Sequence, residues 1–139
     1  MNTSLTERII VSSSGRALVL EAPERWVSPS RGEQSLVLIL SESPLKEFAV
    51  NTVVAIDAVP EELGIVLGRV KLGEDAEQRF SVLPGEVDPI AQLSTTLKVG
   101  GRTASVVTSA PSSRWSYLAD EVERIHASAR LVGPEGIES

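Results

Sequence analysis

Apolar and polar positions alternate most cleanly between residues 48 and 59, FAVNTVVAIDAV. Val50, Thr52, Val54, Ile56 and Ala58 share one phase, and Asn51 and Asp57 share the other. A period of two with one apolar phase is that of a strand buried on one face and wet on the other. Residues 35–40, SLVLIL, form a continuous apolar run of strand length, as a strand covered on both faces would. Residues 93–108 predict a hairpin: LSTTLKV and RTASVVT meet across Gly100 and Gly101, which can take the positive φ of a two-residue turn. The register then sets Val99 against Arg102, Leu97 against Ala104, Thr95 against Val106 and Leu93 against Thr108 on one face. Lys98 with Thr103 and Thr96 with Ser105 form the polar face.

The N-terminal third reads as a further short hairpin, with Ile9, Ile10 and Val11 answering Arg16–Leu20 across a serine turn ending in Gly15. EAPERWVSPSRGEQ, rich in Pro, Ser and charge, reads as a loop. Residues 60–80 fit either a helical stripe (Leu63, Leu67, Val70 behind Pro60, Glu61 and Glu62) or a strand broken by Gly64, Gly68 and Gly73. The proline and acids at its start favour helix. At the C-terminal end, Trp115, Leu118, Val122, Ile125 and Ala129 recur at helical spacing, predicting an amphipathic helix from about Ser113 to Arg130 capped by Ser112 or Ser113. Gly133 and Pro134 stop anything beyond it, and 133–139 read as a flexible tail. The expectation is a single α+β domain over 1–132: an antiparallel sheet packed against a C-terminal amphipathic helix, with room for a second short helix.

At 139 residues the chain is long enough for one self-sufficient core. A net charge of −6 with thirteen scattered Lys and Arg argues against a phosphate-backbone partner, so no nucleic acid is expected. The absence of cysteine excludes disulfides, thiolate metal sites and cysteine nucleophiles. No apolar run approaches the ~18 residues of a membrane span, and MNTSLTERIIVSSS has neither a basic n-region nor a long apolar segment. A cytoplasmic chain is expected as the sequence stands, and an envelope or secreted one if a leader was removed.

Candidate chemistry is sparse. His126, the one histidine, reads as a partly exposed helix-end residue whose cationic form suits the helix dipole. The carboxylates lie in short clusters, Glu61 with Glu62, Glu74 with Asp75 and Glu77, and Asp120 with Glu121 and Glu123. Sequence neighbours point apart, so these read as solvated faces and not as an acid–base pair. Asp57, alone on its strand, is the carboxylate that a hydrolase reading would use together with a Glu. The glycine pair leads from strand to strand, whereas a phosphate cradle leads from strand to helix. No cofactor and no metal is expected. Core packing is the expectation for Phe48 and Trp115. Trp26 is different, because it stands beside Arg25 and near Arg31 in a proline-stiffened segment. That make-up suits either an interface anchor or the closure of the sheet core. Arg25, Trp26 and Arg31 are therefore the candidate partner-binding residues.

Taken in order, LVLEAPERW, LVLIL, FAVNTVVAIDAV, LPGEV, VGGRTASVV and LADEVERIHASARLV resemble the LpqN-type actinobacterial proteins and the wider PsbP-like superfamily. Phe48, Asn51 and Val53 are similar to that family's Phe-x-x-Asn-x-x-Val strand. The chain departs from the pattern after Thr108, which leads almost directly into helix where the family places further strands. The resemblance implies a non-catalytic protein: an envelope lipoprotein, an extrinsic photosystem subunit, a small-GTPase binder or a secretion-effector chaperone. The functional expectation is a protein-interaction module with an envelope, secretion, adaptor or immunity role. A small-ligand carrier and a carboxylate-based hydrolase are the alternatives.

Overall fold

The computed structural model describes residues 5–11, 17–31, 35–40, 50–56, 65–71, 76–84, 88–99 and 102–132. In chain order the strands are β1 (Leu5–Val11), β2 (Ala17–Pro23), β3 (Trp26–Arg31), β4 (Ser35–Leu40), β5 (Asn51–Ile56), β6 (Ile65–Lys71), β7 (Ala76–Leu83), β8 (Ile90–Val99) and β9 (Arg102–Pro111). Helix α1 (Ser112–Ser128) and a short strand β10 (Arg130–Val132) follow. Seven strands form an antiparallel sheet in the order β3-β4-β5-β9-β8-β7-β6, and β1-β2-β10 form a second, smaller one. The fold is α+β, with an antiparallel sheet packed against the C-terminal helix.

The β8–β9 register is the one the glycine pair implies, from Val99 opposite Arg102 to Leu93 opposite Thr108, and it runs on to Ile90 opposite Pro111. Strand β5 buries Thr52, Val54 and Ile56 and leaves Asn51, Val53 and Ala55 on the other phase. Asp57 and Phe48 lie outside the described residues. The core gathers Leu18, Leu20 and Ala22 of β2, Trp26, Leu38, the buried phases of β5 and β9, and Leu118, Val122 and Ile125 of α1. Helix α1 packs on β2, β8 and β9, and Ala104 and Ala110 of β9 are fully buried in the same core. Trp115 and Phe80 meet edge-to-face beside this core, ring centroids 5.3 Å apart.

The structure corrects four expectations. The segment read as a loop around Trp26 is largely strand: β2 runs to Pro23, Glu24 and Arg25 turn, and β3 runs to Arg31. Pro29 is tolerated because β3 is an edge strand and the proline falls within the register shift between Val27 and Ser30. Residues 65–71 and 76–83 are the paired strands β6 and β7, and among the described residues α1 is the one helix. The helical spacing there was coincidental, because a bulge between Val66 and Gly68 breaks the strand period. Neither serine caps α1. Pro111 holds the cap position, the Ser112 N–H donates to the Pro89 carbonyl (2.8 Å), and the Ser113 hydroxyl donates to Asp88. Finally, the helix ends at Ser128, whose hydroxyl accepts the Glu21 N–H (2.8 Å) and donates to the Ile125 carbonyl (2.7 Å). Ala129 is extended, and β10 pairs with β2.

Candidate functional site

Two polar clusters tie α1 to the sheets, and between them they hold most of the titratable chemistry the described residues bury. The first lies at the β2–β3 turn. Trp26 opens β3 with its ring fully buried in the core. Its indole N–H donates to Glu121 Oε1 at 2.5 Å, and Arg25 Nε donates to the same oxygen at 3.0 Å. Arg25 Nη2 pairs with Glu121 Oε2, so the guanidinium grips the carboxylate as a fork. Burial alone would raise the Glu121 pKa. Hydrogen bonds from Arg25 and Trp26, with the charges of Arg25 and Arg124, outweigh it and hold the carboxyl below its ordinary value.

Glu121 was expected on a solvated acidic face, but it is part-buried and ion-paired. The signal was present in the spacing: position 121 adjoins Val122 and follows Leu118 by three, at the margin of the apolar stripe. The structure thus brings Arg25 and Trp26 together on one carboxylate. Arg31 closes the far end of β3 opposite Leu36, and its side chain lies outside the described residues. The ring of Trp26 matches the core-closing reading of that residue, and Arg25 is the member of the pair that reaches the surface.

The second cluster overturns the expectation for His126. The residue is only 2% exposed, and its ring stands over the middle of the seven-stranded sheet. Nδ1 lies 2.7 Å from Thr95 Oγ1, and Nε2 lies 2.8 Å from Thr108 Oγ1. Thr108 Oγ1 is in turn 2.7 Å from Thr52 Oγ1, and Gln78 Nε2 donates to Thr95 at 3.2 Å. The chain Gln78–Thr95–His126–Thr108–Thr52 therefore spans β7, β8, β9 and β5 beneath the helix. With the imidazole neutral and protonated at Nε2, donation runs in one direction from the Gln78 amide to Thr52. Desolvation pushes the imidazole pKa down to about 3. A neutral ring at physiological pH is the physical consequence, and the expected cationic cap is replaced by a buried polar strut. Again the pattern held a clue. Thr52, Thr95 and Thr108 all fall on the apolar phases of their strands, and His126 follows Val122 by four.

Among the described residues no group of three or more His, Asp or Glu could hold a metal ion. No helix there is long and apolar enough to cross a membrane.

No protein-family model and no curated relative matches the sequence. Solved structures do match the fold. The crystal structure of LpqN, described as involved in cell envelope biogenesis of Mycobacterium tuberculosis, aligns with a TM-score of 0.64 at 11% identity, covering 91% of each chain. The solution structure of cyanobacterial PsbP (CyanoP) from Synechocystis aligns with a TM-score of 0.57 at 13% identity, covering 93% of each. A protein from Bacteroides thetaiotaomicron aligns with a TM-score of 0.57 at 13% identity, covering 88% of this chain and 47% of that one. The chain is thus similar in structure to LpqN-like and PsbP-like proteins at low identity and high coverage. At such identity the likeness concerns the fold.

Proposed function

We propose that this chain is a non-catalytic protein-interaction module whose partner is another protein. The observation that carries the reading is the internal engagement of its best-placed titratable groups. His126 is neutral, buried and held at both ring nitrogens. Glu121 is clamped by Arg25 and Trp26 and pinned as the anion. Neither has a free position from which to exchange a proton with a substrate. The shared fold with a protein of cell envelope biogenesis supports an envelope or secretion setting for the partner. An adaptor or immunity role is the same class of work. Arg25 in the β2–β3 turn and Arg31 at the far end of β3 are the proposed contact residues, and Trp26 positions Arg25 from beneath through their shared carboxylate.

The test is affinity purification of the tagged chain, with mass spectrometry of both proteins and small molecules that accompany it. A protein partner at near-equal stoichiometry is expected, its recovery reduced in Arg25→Ala. A bound metabolite that is consumed on incubation would replace the reading with an enzyme. A metabolite retained unchanged would replace it with a carrier.

A further inference from the structure

Strand β6 ends the seven-stranded sheet, and among the described residues only β7 pairs with it. An edge strand presents unpaired backbone donors and acceptors, and proteins ordinarily keep such edges short, charged or covered. This one runs seven residues and exposes three large apolar side chains, Ile65 at 70%, Leu67 at 62% and Val70 at 58%. Its two charges, Arg69 and Lys71, are both positive, and its sequence IVLGRVK has no carboxylate. On the same face Arg69 stands directly opposite Arg79 of β7 and pairs with Glu77 at 3.7 Å. The edge is therefore apolar and cationic in a chain whose net charge is −6.

Those cations choose the occupant. A second copy of the chain paired along β6 would bring two more positive side chains to the same edge, which like-charge repulsion disfavours. An extended partner segment that alternates apolar and acidic residues would meet Arg69 and Lys71 with carboxylates and cover the three apolar side chains. We propose that β6 docks such an acidic strand by adding it to the sheet edge, main-chain hydrogen bonds supplying affinity and the two cations supplying selectivity. The inference rests on the protein-interaction reading and names the surface and the chemistry of what binds.

Two short labelled peptides serve as probes, one alternating valine with glutamate and the other valine with lysine. Binding to the whole chain is measured by fluorescence anisotropy, with amide hydrogen exchange across 65–71. The acidic peptide is expected to bind more tightly by about fivefold or more, the worth of two exposed ion pairs, and to slow exchange in β6. The double variant R69E/K71E, both sites being solvent-exposed, is expected to keep the far-UV spectrum and reverse the preference. Equal binding of both peptides, no binding, or binding without protection of β6 would overturn the proposal. So would a concentration-dependent dimer that protects β6, because the occupant would then be a second copy. Purification of R69E/K71E alongside the native chain separates the two readings. A protein partner retained by both removes the edge and leaves the module; peptides that bind as expected while no protein co-purifies remove the module and leave the edge.

Discussion

A hydroxyl in an apolar phase is a small polar group in a costly place, and Thr108 shows why it is there. It stands between His126 Nε2 and Thr52, and it supplies the acceptor that a buried imidazole N–H requires. Thr108→Val keeps the shape and removes that acceptor. A loss of about 1–3 kcal/mol is expected from urea denaturation at neutral pH, the cost of an unsatisfied buried donor. No loss would show that the strut is not a stabilising element. Trp26 divides into two measurable parts. Trp26→Ala removes a fully buried ring and is expected to cost about 3–5 kcal/mol. Trp26→Phe returns most of the ring but not the N–H to Glu121, so a smaller loss of about 1–2 kcal/mol is expected. If the two variants melt alike, the indole hydrogen bond and not the ring volume is what the site requires.

Elements differ in how far their local pattern determines them. The β8–β9 register was legible because a two-residue turn leaves few choices and each one-residue slip would turn a buried face outward. Strand β6 was not legible. An edge strand exposed on nearly every position has no one-sided pattern to read, and its bulge at Leu67 shifts what period remains. Gly68 lies within that strand, and a Cβ added there meets nothing within 4 Å. Gly68→Thr should therefore raise stability by roughly 0.5–1 kcal/mol, through lower unfolded-state entropy and better strand propensity. A decrease, read from the thermal midpoint, would mean that the strand is strained at that position. The end of α1 was misread for a different reason. Ser128 stops the helix by bonding to Glu21, a residue 107 positions away, and no local signal reports such a partner.

Across the whole molecule, two polar clusters on one helix make the fold acid-sensitive. For His126 the unfolded chain has the ordinary value of 6.5 and the folded chain about 3. Between those values the unfolded state binds the extra proton, so stability is complete above pH 6.5. It falls by about 1.4 kcal/mol for each unit the pH drops through the window. Glu121 acts in the same direction at lower pH: its carboxyl is held below the ordinary value of 4.5, so its contribution is present above that value and lost as the pH falls through the folded pKa. Both groups fasten α1 to the strands beneath it, so acid is expected to release the helix and the core together. Urea midpoints measured from pH 7 to pH 3 should decline steadily, and His126→Phe should flatten the upper part of that decline. A midpoint independent of pH until the carboxylate range would show that the imidazole is reachable by water and protons in the native state.

The division between pattern and tertiary structure follows from range. Alternation in 50–56, the paired phases of 93–108 and the stripe at Leu118, Val122 and Ile125 are local, because burial on one face must repeat with the period of the backbone that carries it. From these the sequence by itself determined an antiparallel sheet with one covered face and a helix to cover it. The roles of His126, Glu121, Arg25 and Trp26 are non-local. A histidine beside Ile125 is a surface residue or a core strut according to which threonines lie beneath it, and those come from three strands whose threonines span 56 positions of the chain. A carboxylate in an acidic run is solvated or clamped according to whether an Arg and a Trp, 96 and 95 residues away, arrive at the same oxygen. The cost of desolvating a polar group is offset only by partners that the assembled fold supplies, so only the tertiary structure could decide where the charges of this chain reside.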